Sequence, residues 1–411
     1  MGRPTTGAVI RVVLLTGAAA LACTHAPPSV KPAAITVVKP DWRPVTSFLD
    51  SAVAAGAAPG AVLGVSADGM RFLHATGQMG ADDPTPVDPS TVYDLASVTK
   101  VVGLATAVML AVEENKLELD TQVQRYVPAF AGPGKEGITL RMLLAHAAGL
   151  PGWRPLFREA GSRAEVFELA ATVALDSAPG TREAYSDLGL IVVTDAVERT
   201  YGERLDSLLQ RRVFEPLGMR SVQFLPEDSH RVAPTELDAW RGRVLRGEVH
   251  DENAARMEGV SGHAGLFGST PDLLTFAEWV IAGWTGEQAN GWTECVGARA
   301  PDSADHLATC PPIRRSTILE FTRRQGLVTG STRALGWDMP SAGGSGGNLL
   351  SPNSVGHTGF TGTSLWIDPM RRLAIVLLSN RVNPNRNNPR WTPVRGRIAD
   401  LVVTTLFEDA R

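Results

Sequence analysis

The chain has 411 residues, enough for one large domain or two small ones. Its apolar content of 44% and charged content of 20% are those of an ordinary globular protein, whose burial at this length needs no disulfide scaffold. A formal net charge of −4 gives no reason to expect nucleic acid as the partner.

Arg3 and Arg11 bracket the start of a short apolar run, Val12 to Ala22. That run is too short to span a bilayer and reads as the hydrophobic part of a secretory signal over residues 1–23. Export to the cell envelope is therefore expected, either into the periplasm or onto a membrane. The run ends Ala20-Leu21-Ala22-Cys23, which resembles a bacterial lipoprotein signal with Cys23 lipidated as a membrane attachment. Leu21 stands one position before the last small residue, where that pattern places it two before. The alternative is an ordinary cleaved signal with Cys23 incidental. Residues 24–40 are Pro-rich without helical or strand period and read as a tether. The folded domain is expected over 41–411.

Pro44 to Ala57 reads as an amphipathic helix, stopped by Pro59-Gly60. Ala61–Ser66 and Arg71–Gly77 are strand-like runs joined by Asp68-Gly69, a strong hairpin dipeptide. Ser97 to Asn115 carries the clearest helical period, with Val101, Leu104, Ala105, Val108, Met109 and Val112 on one face. Leu140–His146, Ser162–Leu175, Leu188–Thr200, Arg204–Val213 and Pro271–Trp284 follow as helices. Cys295 and Cys310 share one Gly/Pro/Asp-rich segment, either as a disulfide closing a loop or as two free thiols. Without paired histidines they make no zinc site. After the Gly/Ser-rich loop 341–348 come three strand-like runs, Ser354–Phe360, Thr363–Ile367 and Leu373–Ser379, then a last helix, Val394–Phe407. No apolar stretch of about 18 residues follows the N-terminus, so no membrane-spanning helix is expected in the body.

Strands at both chain ends and helices between them predict an α+β fold. Its antiparallel sheet of five or more strands is built from both ends and flanked by the terminal helices, with a mostly helical region (about 120–275) inserted. The Ser97 helix should cover the second face of the sheet and border a cleft.

Ser97-Val98-Thr99-Lys100 opens that helix, so Lys100 lies one turn from Ser97 on the same face. A serine hydroxyl needs a neighbour to take its proton, and lysine can do so only when burial or positive potential lowers its pKa. The helix N-terminus offers such potential, and the Ser97 amide there is a natural oxyanion donor. Alone, the spacing reads first as a capped helix start with an exposed lysine.

With Tyr185-Ser186-Asp187 and His357-Thr358-Gly359 in the same order, the chain resembles the serine β-lactamase and penicillin-binding protein superfamily. The likeness is to its class C-like branch, with the related esterases and D,D-carboxypeptidases. Leu143–Leu150 and Gly262–Phe267 add family-like flanks, and the likeness spans about residues 42–410. The resemblance implies a serine hydrolase working through an acyl-enzyme on amide or ester bonds, without cofactor or metal. It implies Ser97 as nucleophile, Lys100 as base or proton relay and Tyr185 as second proton-transfer group. Asp187, His357, Thr358, Gly359 and Phe360 would line the substrate, with the Phe360 amide as second oxyanion donor. A small-molecule or peptidoglycan-derived substrate follows. Asp187 stands where the family often has Asn, and His357 where it often has Lys. Ionised Asp187 would favour charged Lys100, and His357 is a weaker cation than lysine. Poor handling of carboxylate-bearing β-lactams is the expected consequence. The alternative from a different class is an envelope-anchored penicillin-binding-like protein with negligible turnover. Gly343–Gly347 matches G-x-S-x-G, but no helix follows it and it reads as a loop near the cleft mouth. His263 and His146 read as structural histidines.

Overall fold

The computed structural model describes residues 1–2, 40–286 and 312–407. The signal, the tether up to residue 39, Cys23, Cys295 and Cys310 lie outside the described residues. Asp68 and Gly69 both take positive φ, 47° and 80°, the backbone a two-residue hairpin turn requires. They join β1 (Gly60–Ala67) to β2 (Met70–Gly80), and β3 (Asp83–Pro86) adds a short edge. From the C-terminal part come β4 (Val355–Thr358), β5 (Ser364–Asp368) and β6 (Leu373–Ser379). The six form one antiparallel sheet, ordered β3-β2-β1-β6-β5-β4. The two chain ends meet where β1 pairs β6, with Leu63 opposite Leu377. Every residue of β1 and β6 is buried, so both faces of the sheet are covered there.

Five helices matter for the site: α1 (Arg43–Ala54), α2 (Thr106–Glu113), α3 (Asp187–Tyr201), α4 (Thr270–Thr285) and α5 (Thr392–Leu406). The terminal helices α1 and α5 cover one face, packing Val45, Leu49, Ile398 and Val402 on Leu63, Ile375 and Leu377. The other face is covered by α4, through Leu273, Leu274 and Ala277 against Val62, Val376 and Leu378. This corrects the expectation for the Ser97 helix. The helical run 96–113 is buried on all sides from Lys100 to Ala111, and a helix apolar all round belongs in the interior. It is long and apolar enough to cross a bilayer, but 83% of it is buried within the protein, as a core helix is.

That run is not a uniform α-helix. Residues Ala96–Val98 form a 3₁₀ turn, Lys100–Ala105 a π-helical segment, and α2 follows. The Thr106 hydroxyl donates to the Val101 carbonyl at 3.1 Å, which supports the wider segment. The loop 341–348 packs on α5, where Asp400 accepts from the amides of Asn348 and Leu349.

Candidate active site

The turn carrying Ser97 is held from three sides. Tyr93–Asp94 pairs with Leu266–Gly268, and the buried Asp94 carboxyl accepts from the amides of Ala96 (2.8 Å) and His250 (2.6 Å). Ala96 takes φ 46°, a strained conformation for a non-glycine residue, immediately before Ser97. From the sheet side, Thr361 and Thr363 donate their hydroxyls to the carbonyls of Asp94 and Leu95, at 2.7 and 2.9 Å. The loop after β4 is thereby clamped to the turn before Ser97. Gly359 makes the approach possible: a Cβ there would sit 2.5 Å from the Leu95 carbonyl oxygen.

Ser97 Oγ is the meeting point of two donors. Lys100 Nζ lies 2.8 Å from it, and the Tyr185 hydroxyl donates to it at 2.9 Å. The Lys100 side chain is completely buried. Its ammonium also donates to the His263 carbonyl at 2.8 Å and lies 2.7 Å from Asp187 Oδ1. Burial pushes the Lys100 pKa down, but Asp187 and Tyr185 outweigh it and hold the pKa above that of an ordinary lysine. The expectation of a lysine made neutral by burial is therefore corrected: the resting Lys100 is an ammonium.

Tyr185 and Asp187 flank the N-terminus of α3. Ser186 caps that helix, accepting from the Gly189 amide at 3.2 Å while donating to the Pro151 carbonyl at 2.6 Å. The Asp187 amide donates to the Gly152 carbonyl, and the Ser186 amide to His146 Nδ1. The Tyr185 ring sits between His146 (centroids 4.7 Å apart) and His357 (5.9 Å), with the Arg333 guanidinium 5.4 Å from its centroid. Burial raises the Tyr185 pKa, opposed by Lys100.

The third motif is less exposed than expected. His357 is buried, its Nδ1 lies 2.8 Å from the Thr358 carbonyl, and its Nε2 has no partner among the described residues. Burial, helped by Lys100, holds its pKa well below the ordinary histidine value. His357 is thus a neutral ring behind Tyr185, which corrects its reading as a partly charged group on the substrate. The outer edge of β4 is closed at Gly356, which exchanges two hydrogen bonds with Asp338. Ladder alternation turns Thr358 to the same outer side. The Phe360 amide has no partner among the described residues, and its ring is exposed beside His250. Arg395 and Arg381 brace this loop from behind, donating to the carbonyls of Gly359 (2.6 Å) and Phe360 (2.9 Å).

The structure thus brings Ser97, Lys100, Tyr185 and Asp187 into direct contact and sets Thr358, Gly359 and Phe360 beside them. His263 and His146 are structural histidines, as expected, but sequence reasoning missed their partners and the part played by Asp251 and Arg333. His263 holds Lys100 through its main-chain carbonyl, while its ring contacts Ser261 Oγ at 2.7 Å and Asp251 Oδ1 at 2.9 Å. Asp251 in turn caps the helix Glu252–Arg256. Arg333 is ion-paired with Glu183 (2.8 Å) and Asp338. His146 is fully buried, with its Nε2 unpartnered among the described residues. The described residues contain no cluster of potential metal ligands.

A family model described as Beta-lactamase matches residues 45–400. A Salmonella schwarzengrund protein named "Putative D-alanyl-D-alanine carboxypeptidase" is 31% identical over 342 residues, covering 75% of this chain and 74% of that protein. Among solved structures, a penicillin-binding protein homologue from Caulobacter crescentus superposes with TM-score 0.67 at 19% identity, over 90% of this chain and 100% of that one. The octameric penicillin-binding protein homologue from Pyrococcus abyssi gives TM-score 0.66 at 21% identity, over 89% and 78%.

Proposed function

As this chain belongs to the beta-lactamase family and is a serine hydrolase, we propose that it cleaves ester or amide bonds through an acyl-enzyme on Ser97. The observation that carries this is the Ser97 hydroxyl, 2.8 Å from Lys100 Nζ and 2.9 Å from the Tyr185 hydroxyl. Attack by Oγ on a carbonyl builds an oxyanion that the amides of Ser97 and Phe360 receive. Lys100 and Tyr185 pass the Ser97 proton on to the leaving group, and water then releases the acyl group.

Neutral or weakly anionic substrates suit the Tyr185 side of the site. Its cations are already paired, Lys100 with Asp187 and Arg333 with Glu183 and Asp338, and His357 is uncharged. Arg381 and Arg395 are turned to main-chain carbonyls. A second reading is a D,D-carboxypeptidase acting on peptidoglycan stem peptides, favoured by the name of the 31% identical Salmonella protein. We further propose export to the cell envelope through residues 1–23, either into the periplasm or onto a membrane through a lipidated Cys23.

The test is labelling with a fluorophosphonate and with a fluorescent penicillin, on wild type and Ser97→Ala. Loss of both labels in the variant supports the nucleophile. Fluorophosphonate labelling without penicillin labelling supports the esterase over the carboxypeptidase. Turnover that persists in Ser97→Ala overturns the assignment.

A further inference from the structure

Lys100 poses a proton-counting problem. Three acceptors surround its Nζ: Ser97 Oγ, the His263 carbonyl and Asp187 Oδ1, all within 2.8 Å. An ammonium has no lone pair with which to take the serine proton. The Tyr185 hydroxyl is itself a donor to Ser97 Oγ. Of the three acceptors, the amide carbonyl is no base and Ser97 is the group to be deprotonated. Asp187 is the one basic atom that Lys100 touches. In the resting state this is a charge contact, without the alignment of a directed hydrogen bond.

We propose that Asp187 is the proton store of the site: as Lys100 takes the proton of Ser97, it passes one of its own to the Asp187 carboxylate. The inference rests on the serine acyl-enzyme reading above. The Ser97 O–H bond breaks and an N–H bond forms on Lys100. One N–H bond to Lys100 breaks and an O–H bond forms on Asp187, while Oγ bonds the substrate carbonyl carbon. The balance needs no proton from solvent. Ammonium with carboxylate and amine with carboxylic acid are both net neutral, so burial penalises their exchange far less than it penalises an isolated charge. An Asn at position 187 could donate to a substrate but could not hold this proton. Asp187 acts through Lys100 and is in this sense a positioning residue for the proton.

The other titratable groups around the pair do not replace it. His146 and His357 are held neutral by burial, and Tyr185 is held protonated. Asp251 is turned to His263 and held ionised despite its burial, and Arg333 is turned to Glu183 and Asp338.

The consequence is a proton count. With Asp187 present, the reactive and resting forms hold the same number of protons, so Ser97 reactivity is flat with pH. With Asn there, the reactive amine appears only after a proton leaves for solvent, so reactivity climbs about tenfold per pH unit below the Lys100 pKa. The experiment measures the second-order rate of fluorophosphonate labelling from pH 6 to 9 on the full-length protein, for wild type, Asp187→Asn, Asp187→Glu and Ser97→Ala. The expected result is a flat profile in wild type, a rising one in Asp187→Asn, and a flat one restored in Asp187→Glu. Parallel profiles in wild type and Asp187→Asn overturn the relay while leaving the Ser97 reading intact. Equal labelling of Ser97→Ala overturns that reading instead. If Asp187→Asn does not fold, Asp187→Glu decides: a flat profile supports the relay, and a rising one overturns it.

Discussion

Gly359→Ala tests whether the clamp between the third motif and the Ser97 turn sets the geometry of the site. An added Cβ would lie 2.5 Å from the Leu95 carbonyl oxygen and closer still to Thr363 Oγ1. Carbon–oxygen contacts stop near 3.3 Å, so one side must retreat by about 1 Å. The turn before Ser97 is held by the pairing of Tyr93–Asp94 with Leu266–Gly268 and by the Leu95 amide donating to the Leu266 carbonyl, so the loop 359–363 is what moves, taking the Phe360 amide with it. A misplacement of about 1 Å costs on the order of a hundredfold in rate, and loss of one oxyanion donor about 10²–10³ in kcat. Overpacking should lower stability by about 1–3 kcal/mol, which leaves a domain of this size folded. The assay is kcat on a p-nitrophenyl ester beside a thermal unfolding curve. A variant with lowered Tm and unchanged kcat would refute the reasoning, because the clamp would then serve stability alone.

Tyr185→Phe removes the hydroxyl that donates to Ser97 and should lower kcat by about 10²–10⁴, with little change in Tm. His357→Lys restores a cation behind Tyr185 and should raise kcat/KM for a penicillin over that for a neutral ester by roughly ten- to a hundredfold, the worth of one charge-assisted hydrogen bond. Equal effects on both substrates would contradict the charge argument. Burial pushes the Glu236 pKa up, but its contacts with His250 and Arg386 outweigh this and lower it from 4.5 to about 2. A carboxyl with a depressed folded pKa contributes stability above its unfolded value, and that contribution is lost as pH falls from about 4.5 toward 2. Glu236→Gln should therefore lower stability near neutral pH by on the order of 2 kcal/mol and flatten the acid limb of the denaturant midpoint, and an unchanged limb would refute this.

Much of the fold was legible because its signals are local. Asp68-Gly69 specifies a hairpin turn by backbone conformation alone, and the largely apolar β1 and β6 announce strands covered on both faces. The choice of α4 over the Ser97 helix as cover for the second face was not legible. Both runs are apolar, and the contrast lies in which of them is surrounded on every side. The contact between Ser97 and Lys100 followed from helical spacing, and that of Tyr185 from the family resemblance. The support of Lys100 did not, since His263 contributes a main-chain carbonyl, which any residue possesses, from 163 positions away. Charge states were hidden for the same reason. Position 187 could be read as a threat to a neutral Lys100, but the outcome depends on a distance of 2.7 Å, and the neutrality of His357 on burial that only the packed fold creates.

The central claim is a covalent acyl-enzyme on Ser97, and intact-mass spectrometry of protein acid-quenched during ester turnover tests it most directly. The account predicts an added mass equal to the acyl group, mapped by peptide sequencing to Ser97 and absent in Ser97→Ala. Turnover with no adduct on Ser97 in a burst-quench series, or an adduct carried equally by Ser97→Ala, would contradict it.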